Sequence, residues 1–276
     1  MPKYSIITPV NLWTLERVDQ FIRCIESVKN INYTDFEWVI VDDGSPLEFL
    51  WSQIDGDFHL NVVHKPHQER VLAYNEAFKV AQGDWWTFLD SDDELDPEIF
   101  NVLDKIIEEN PKYQMINFGS VHKWRDGTIA NRDAFKPEKL KVGHEMFGGG
   151  NIVNGTFLFN RSVYEKCGGF GDNVDEQGYI KDVDCTSLNY PVHANQEKPY
   201  IRDLYLGTPY DFSAAYQLKF PELQELFMEK HPDHPEKLVK ELGNPWGQDF
   251  ALFYQFTRKF HSLPVDEYLY IVNHKL

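Results

Sequence analysis

An α/β domain with a mainly parallel sheet flanked by helices, and a small helical extension at the C-terminus, is the fold class this sequence predicts. Three observations predict it. Short β-branched and aromatic runs alternate with stretches of helical period through the N-terminal part of the chain, the pattern of strands joined by crossover helices. The runs end abruptly at a proline or at acids, so polar chemistry gathers at strand ends. From Phe220 onward, Leu223, Leu226, Phe227, Leu238, Val239 and Leu242, then residues 250–260, repeat as in two or three amphipathic helices.

The elements follow in order. Residues 4–10 (YSIITPV) are a β-branched run ending beyond Pro9, and Leu15, Val18, Ile22, Ile25 and Val28 continue it at helical spacing. Residues 36–41 (FEWVIV) form a second buried strand, closed by the turn Asp42-Asp43-Gly44-Ser45. Residues 59–64 predict a third strand. Residues 71–82 predict a helix with Ala73, Ala77, Phe78 and Ala81 inward and Gly83 as its stop. Trp85-Trp86-Thr87-Phe88-Leu89 is the fourth strand, and it runs into Asp90-Ser91-Asp92-Asp93-Glu94. Asp96, Pro97 and Glu98 open a helix carrying Ile99, Leu103, Ile106 and Ile107, with Asp96 as cap. Beyond it, residues 114–120 read as a strand and 121–141 as a charged stretch of no definite form. Gly148-Gly149-Gly150 is a connection, and 151–160 (NIVNGTFLFN) a strand leading into a short helix and the turn at 168–171.

Composition bounds the function. The 276 residues, 42% hydrophobic and 15% aromatic, are enough for one generous core. No apolar run approaches the roughly 18 residues that span a bilayer, and the first ten residues lack the pattern of a secretory signal. A soluble, unprocessed chain in the cytoplasm, or peripheral at a membrane, is expected. Three scattered cysteines, Cys24, Cys167 and Cys185, make neither a disulfide framework nor a zinc cluster. A net charge of −17 with no basic run argues against extensive nucleic-acid binding.

The fourth strand end carries the most chemistry. Residues 84–104 hold eight acids and no basic residue. Capping accounts for Asp96 and Glu98 but not for Asp90, Asp92 and Asp93, and carboxylates this close favour a proton or a hard cation such as Mg2+ or Mn2+ bridging phosphates. In open α/β sheets ligands sit at the carboxyl ends of strands, so Thr8-Pro9, Asp42-Asp43 and Asp90-Asp92 converge on one crevice. No G-x-G-x-x-G follows the first strand, which argues against a dinucleotide site.

Taken in order, IITPVN, VIVDDGS, RVLAYNEAFKVAQGDW, WTFLDSDDE and GGFGDNVDEQGYIKDVD resemble the inverting glycosyltransferases of family 2, which have the GT-A fold. The likeness is tight over residues 2–100 and looser to about Asp184. It implies a GT-A domain over 1–215, with a nucleotide-binding half at 1–119 and an acceptor half at 120–215, and a helical cap at 216–276. It implies that Thr8 and Pro9 line the nucleotide pocket, that Asp42 and Asp43 meet the base, and that Asp43 accepts the ring N–H that marks uracil or thymine. Asp90-Ser91-Asp92 takes the place of the family's D-x-D, with Asp92 as metal ligand and Asp90 reaching the ribose or the metal, for Mn2+ or Mg2+; Asp93 comes second. Where the family shows G-x-x-x-A-R-N, this chain has Glu69 for the glycine and Tyr74 for the arginine, ahead of Asn75, which leaves Arg70 to supply positive charge to the diphosphate. Asp182 aligns with the catalytic base, with Lys181 where the family has glutamate and Asp184 as the alternative base. The family's later histidine ligand falls at Tyr210, with His193 as substitute, and Trp124, Tyr179 and Trp246 are candidates to stack on sugars.

The resemblance therefore implies a metal-dependent transferase acting on a nucleotide sugar, first of all a UDP-sugar, and a hydroxyl acceptor such as a glycan. Two other classes stay open: a nucleotide-sugar-binding module that has lost catalysis, and a nucleotidyltransferase. The latter usually needs a loop rich in Gly and Lys after the first strand, and residues 8–14 contain neither.

Overall fold

The computed structural model describes residues 1–67, 70–134, 154–169, 256 and 260–274. The chain divides into two compact units, one of Met1–Phe135, Val153–Val163 and Ser262–Leu276, the other of Lys136–Ile152 and Tyr164–His261. The described elements are β1 (Tyr4–Val10), α1 (Leu15–Lys29), β2 (Phe36–Asp43), β3 (His59–Lys65), α2 (Arg70–Val80), β4 (Trp85–Phe88), β5 (Glu94–Leu95), α3 (Ile99–Glu109), β6 (Met115–Lys123), β7 (Ile129–Arg132), β8 (Phe157–Asn160), α4 (Arg161–Cys167) and β9 (Ser262–Asn273).

All seven residues of β1 and all eight of β2 are buried, which is why both read as continuous apolar runs. Their side chains still alternate between two cores. Tyr4, Ile6, Trp38 and Ile40 join Phe21, Ile25 and Phe100 of α1 and α3 in one cluster, where the Tyr4 and Phe100 rings stack at 4.2 Å. On the other face α2 packs Phe78 against Trp86 at 5.6 Å and Tyr74 against Phe88 at 4.7 Å. Thr14 caps α1 by accepting from the Arg17 backbone N–H at 3.2 Å. Asp96 accepts from the Glu98 N–H at 2.8 Å in the turn before α3, but it is not the helix cap expected: that position falls to Glu98, which makes no side-chain cap bond, and the helix begins at Ile99.

The sheet is mixed, and this corrects the expectation of a mainly parallel one. Its order is β3-β2-β1-β4-β8-β6-β9-β5, with β7 also on β6. β3, β2, β1 and β4 pair in parallel, as does β6 with β9. The pairs β4–β8, β6–β8, β6–β7 and β5–β9 are antiparallel. The strand–helix alternation that implies parallel pairing stops after α3. From there β6 returns through a tight turn, Gly127 at φ +85°, as a hairpin with β7, and β8 enters between β4 and β6 in the opposite direction. The expected helical C-terminal extension is corrected at its end, where residues 262–273 are the twelve-residue strand β9, within the sheet; the helices expected over 220–260 lie, but for Phe256 and Phe260, outside the described residues. The charged stretch after residue 120 begins as the end of β6 and β7, and of the strand expected at 151–160 the described part is a 3-10 turn at Asn154–Thr156 followed by β8, residues 151–153 lying outside the described residues.

Because β4 and β6 both run antiparallel to β8, and β9 runs with β6, the carboxyl ends of β1, β2, β4, β6 and β9 all lie along one edge. No helix among the described residues is long and apolar enough to cross a membrane.

Candidate functional site

At the end of β1, Thr8 is fully buried and its Oγ1 accepts from Trp38 Nε1 at 2.8 Å, so the side chain is spent inside the sheet; Pro9 is buried opposite Val41. Just beyond, Asn11 Nδ2 donates to the Asp43 carbonyl at 2.6 Å and the Leu12 N–H donates to Ser45 Oγ at 2.8 Å. These bonds lock the loop after β1 to the loop after β2.

At the end of β2 the two aspartates separate. Asp42 accepts from the Ser45 N–H at 3.0 Å and faces His64 Nδ1 at 3.0 Å, so it acts as the cap of its turn. Gly44 has φ +68°, and a Cβ there would lie 2.4 Å from the His67 nitrogen, so both the backbone conformation and the close approach call for glycine. Asp43 is held by Lys65 Nζ at 2.5 Å and faces His67 Nδ1 at 2.8 Å. It is only 4% exposed.

At the end of β4 the four acids take different partners. Asp90 Oδ1 accepts from the Tyr74 hydroxyl at 3.0 Å, so the residue standing in place of the family's arginine reaches the first D-x-D acid. Ser91 Oγ accepts from Arg17 Nη2 at 2.7 Å, and Asp92 Oδ2 pairs with Arg17 Nη1 at 2.8 Å. Asp93 turns inward. Its Oδ2 accepts from Tyr270 at 2.9 Å and its Oδ1 from the Asn273 N–H at 2.9 Å, both on β9. The Tyr270 hydroxyl also accepts from the Asp90 N–H at 3.0 Å, and Asn273 Nδ2 donates to the Asp92 carbonyl and to Glu94 Oε1 at 3.1 and 3.0 Å. β9 thus clamps the whole acidic turn.

The acidic turn perturbs the groups buried against it. Burial, then the charges of Asp92 and Asp90, raises the Asp93 carboxyl well above its ordinary range, outweighing its two hydrogen bonds. Burial and the same acids raise the thiol of Cys24, which is buried beneath them, and burial with Asp93 and Asp90 raises the Tyr270 phenol. Mg2+ and Mn2+ sites of this kind take one or two carboxylates and leave the remaining positions to phosphates and water. Asp90 and Asp92 at one strand end suit that donor set. Among the described residues no three His, Cys, Asp or Glu side chains gather as a ready-made metal cage.

Further along the same edge, Trp124 stacks on His274 at 4.6 Å, and His122 Nδ1 lies 2.6 Å from His274 Nε2. Arg70 opens α2, but its side chain lies outside what the structure describes. Glu69, Tyr179, Lys181, Asp182, Asp184, His193, Tyr210 and Trp246 also lie outside the described residues.

Sequence reasoning missed Arg17, Lys65, His67, Tyr270 and Asn273. Arg17 did leave a signal, because a cation in the first turn of a helix opposes the dipole and calls for a partner elsewhere. Tyr270 and Asn273 left none, since 180 residues separate Asp93 from Asn273 and β9 carries no motif.

The chain has relatives among known proteins. The chain is 28% identical over 188 residues to the glucosyl-dolichyl phosphate glucuronosyltransferase of Haloferax volcanii, covering 64% of this chain and 58% of that protein. It is 29% identical over 180 residues to EpsJ of Bacillus subtilis, an uncharacterised glycosyltransferase, covering 60% and 50%. The chain therefore spans little more than half the length of these relatives. Among solved structures, that of S. aureus TarS 1–349 with UDP-GlcNAc aligns at TM-score 0.46 and 19% identity, over 59% of this chain and 47% of that one. Residues 12–168, more than half of the 276, match the family described as Glycosyl transferase family 2, and the chain belongs to that family.

Proposed function

We propose that this protein is a metal-dependent glycosyltransferase that moves a sugar from a nucleotide sugar, first of all a UDP-sugar, to an acceptor hydroxyl with inversion at the anomeric carbon. The observation that carries this reading is the meeting of Asp43 with Asp90 and Asp92 on one carboxyl edge of the sheet, in a chain of this family. In this reading Asp43, buried between Lys65 and His67, is the acid that would accept the ring N–H of uracil. Asp92 and Asp90 would hold Mn2+ or Mg2+, which when bound supplies a Lewis acid for the leaving diphosphate. Asp182, with Asp184 as the alternative, takes the proton from the acceptor hydroxyl as that oxygen attacks from the face opposite the diphosphate. The bond from the anomeric carbon to the diphosphate breaks as the bond to the acceptor oxygen forms.

Glycan or polysaccharide biosynthesis, in the cytoplasm or at the periphery of a membrane, is the setting we infer. The name of the Haloferax volcanii relative supports starting the acceptor search with lipid-linked sugars. The test is release of nucleoside diphosphate from a panel of nucleotide sugars with Mn2+, with and without acceptor, by the wild type and by Asp92→Asn and Asp182→Asn. Both variants are expected to lose at least a hundredfold in rate. Tight nucleotide binding with no release from any donor would leave only a binding module.

A further inference from the structure

Arg17 sits where helix electrostatics disfavour it. It lies in the first turn of α1, one residue past Glu16, where the positive end of the dipole repels a cation. Its guanidinium instead crosses to the end of β4. Nη1 donates to Asp92 Oδ2 at 2.8 Å and to Gln20 Oε1 at 3.0 Å, while Nη2 donates to Ser91 Oγ at 2.7 Å. Ser91 and Gln20 are 3% and 4% exposed, and the Arg17 side chain only 17%. A planar fork held by three acceptors differs from a loose surface pair, because little freedom is left to lose. The charge it neutralises belongs to the acid that the donor-site reading above assigns to a divalent ion, and the present inference rests on that reading.

A guanidinium and a divalent ion at one carboxylate repel each other, so each weakens the other's hold. A diphosphate changes the balance, since phosphate oxygens match the guanidinium fork as well as a carboxylate does. In this chain Tyr74 stands at the arginine position of the family pattern and is bound to Asp90, so the cation that the segment from 70 to 75 lacks at that position comes from α1. We propose that Arg17 is the resident counter-ion of Asp92, that it competes with the divalent ion when no nucleotide is present, and that a nucleotide diphosphate relieves the competition by drawing Arg17 to itself. Metal and nucleotide then load together, with reciprocal linkage between them.

The experiment is a Mn2+ titration of the full chain followed by the electron paramagnetic resonance signal of free Mn2+, alone and with saturating UDP. In the wild type UDP is expected to tighten Mn2+ at least tenfold. In Arg17→Met, which keeps the stem and loses the charge, Mn2+ alone is expected to bind at least tenfold tighter than in the wild type, and the effect of UDP to shrink accordingly. Arg17→Lys, which keeps the charge without the fork, falls between them and guards against a folding defect in the first variant, with circular dichroism as the check. The proposal is overturned if folded Arg17→Met or Arg17→Lys binds Mn2+ alone no tighter than the wild type, or if UDP leaves wild-type Mn2+ affinity unchanged. Two failures are distinguishable. UDP-linked Mn2+ binding that is lost in Asp92→Asn but unaltered in Arg17→Met removes only the role of Arg17. No Mn2+ binding by the wild type even with UDP overturns the metal-dependent donor site, and this inference with it.

Discussion

Replacing Tyr270 by phenylalanine removes one oxygen from the point where β9 holds the acidic turn. That oxygen accepts from the Asp90 N–H at 3.0 Å and donates to Asp93 Oδ2 at 2.9 Å; Tyr270 is 0% and Asp93 5% exposed, and Asp90 is half-buried. The phenyl ring can keep its packing against Gly155, so the loss is confined to the two hydrogen bonds. A buried donor or acceptor left unmade costs about 1–3 kcal/mol, so the pair together is expected to cost about 2–4 kcal/mol. For a chain of this size that corresponds to a fall in Tm of about 5–15 °C. Urea unfolding followed by circular dichroism measures it: the midpoint should fall while the slope stays unchanged. Turnover of donor should fall as well, because the same oxygen fixes the backbone of Asp90, which precedes Ser91 and Asp92. A loss below about 0.5 kcal/mol would refute the reasoning, since it would mean that water reaches the Asp90 N–H and the Asp93 carboxyl.

Three further outcomes follow from particular contacts. Gly155→Ala places a Cβ 1.7 Å from the Tyr270 ring, which is tethered through its hydroxyl and has little room to retreat; a loss of about 1–3 kcal/mol is expected in the same urea assay. Gly44→Ala meets both the positive φ and the His67 backbone, and should weaken UDP binding, measured by calorimetry, more than it lowers Tm, because the turn carries Asp43. His122 is buried, and its pKa is lowered to about 4 by burial first, then by Arg132 and His274. The unfolded chain binds that proton near pH 6.5, so between roughly 6.5 and 4 the unfolded state carries more protons and stability falls as the pH falls. His122→Gln should flatten that part of the stability–pH curve by at most about 3 kcal/mol, as read by Tm across pH 4–7.

How much of the fold could be read from the sequence depends on where contacts are local. Strand–helix alternation made β1 through β4 and their helices legible, because the runs are bounded by their own turn chemistry, such as the Gly44 turn after β2. The direction of a strand leaves no such mark. β8 reads as a short aromatic run whether it lies parallel or antiparallel to β4, and only its hydrogen bonds to Trp85–Thr87 decide. β9 failed for a related reason. Leu263, Val265, Leu269 and Val272 fit a helical period about as well as a strand's, and its burial is set by pairing with β6, nearly 150 residues earlier.

The candidate site divides along the same line. That acids gather at strand ends was legible, because each lies in a short segment with its own strand; the partner that each acid takes was not. Asp42 and Asp43 are neighbours of one residue type, yet one caps a turn and the other is held by Lys65 and His67 from the next strand. Asp92 and Asp93 divide in the same way, one toward Arg17 on α1, the other toward Tyr270 and Asn273 on β9. Adjacent acids need not share a direction: Asp92 keeps 24% of its side chain exposed while Asp93 is 5% exposed, and Asp43 is the more buried acid of its own pair. The inward acid must then be satisfied by a distant element, because burying it unpaired would cost several kcal/mol. A doubled aspartate at a strand end therefore implies its own internal partner. Here those partners are Tyr270 with the Asn273 N–H for Asp93, and Lys65, whose side chain is itself only 10% exposed, for Asp43.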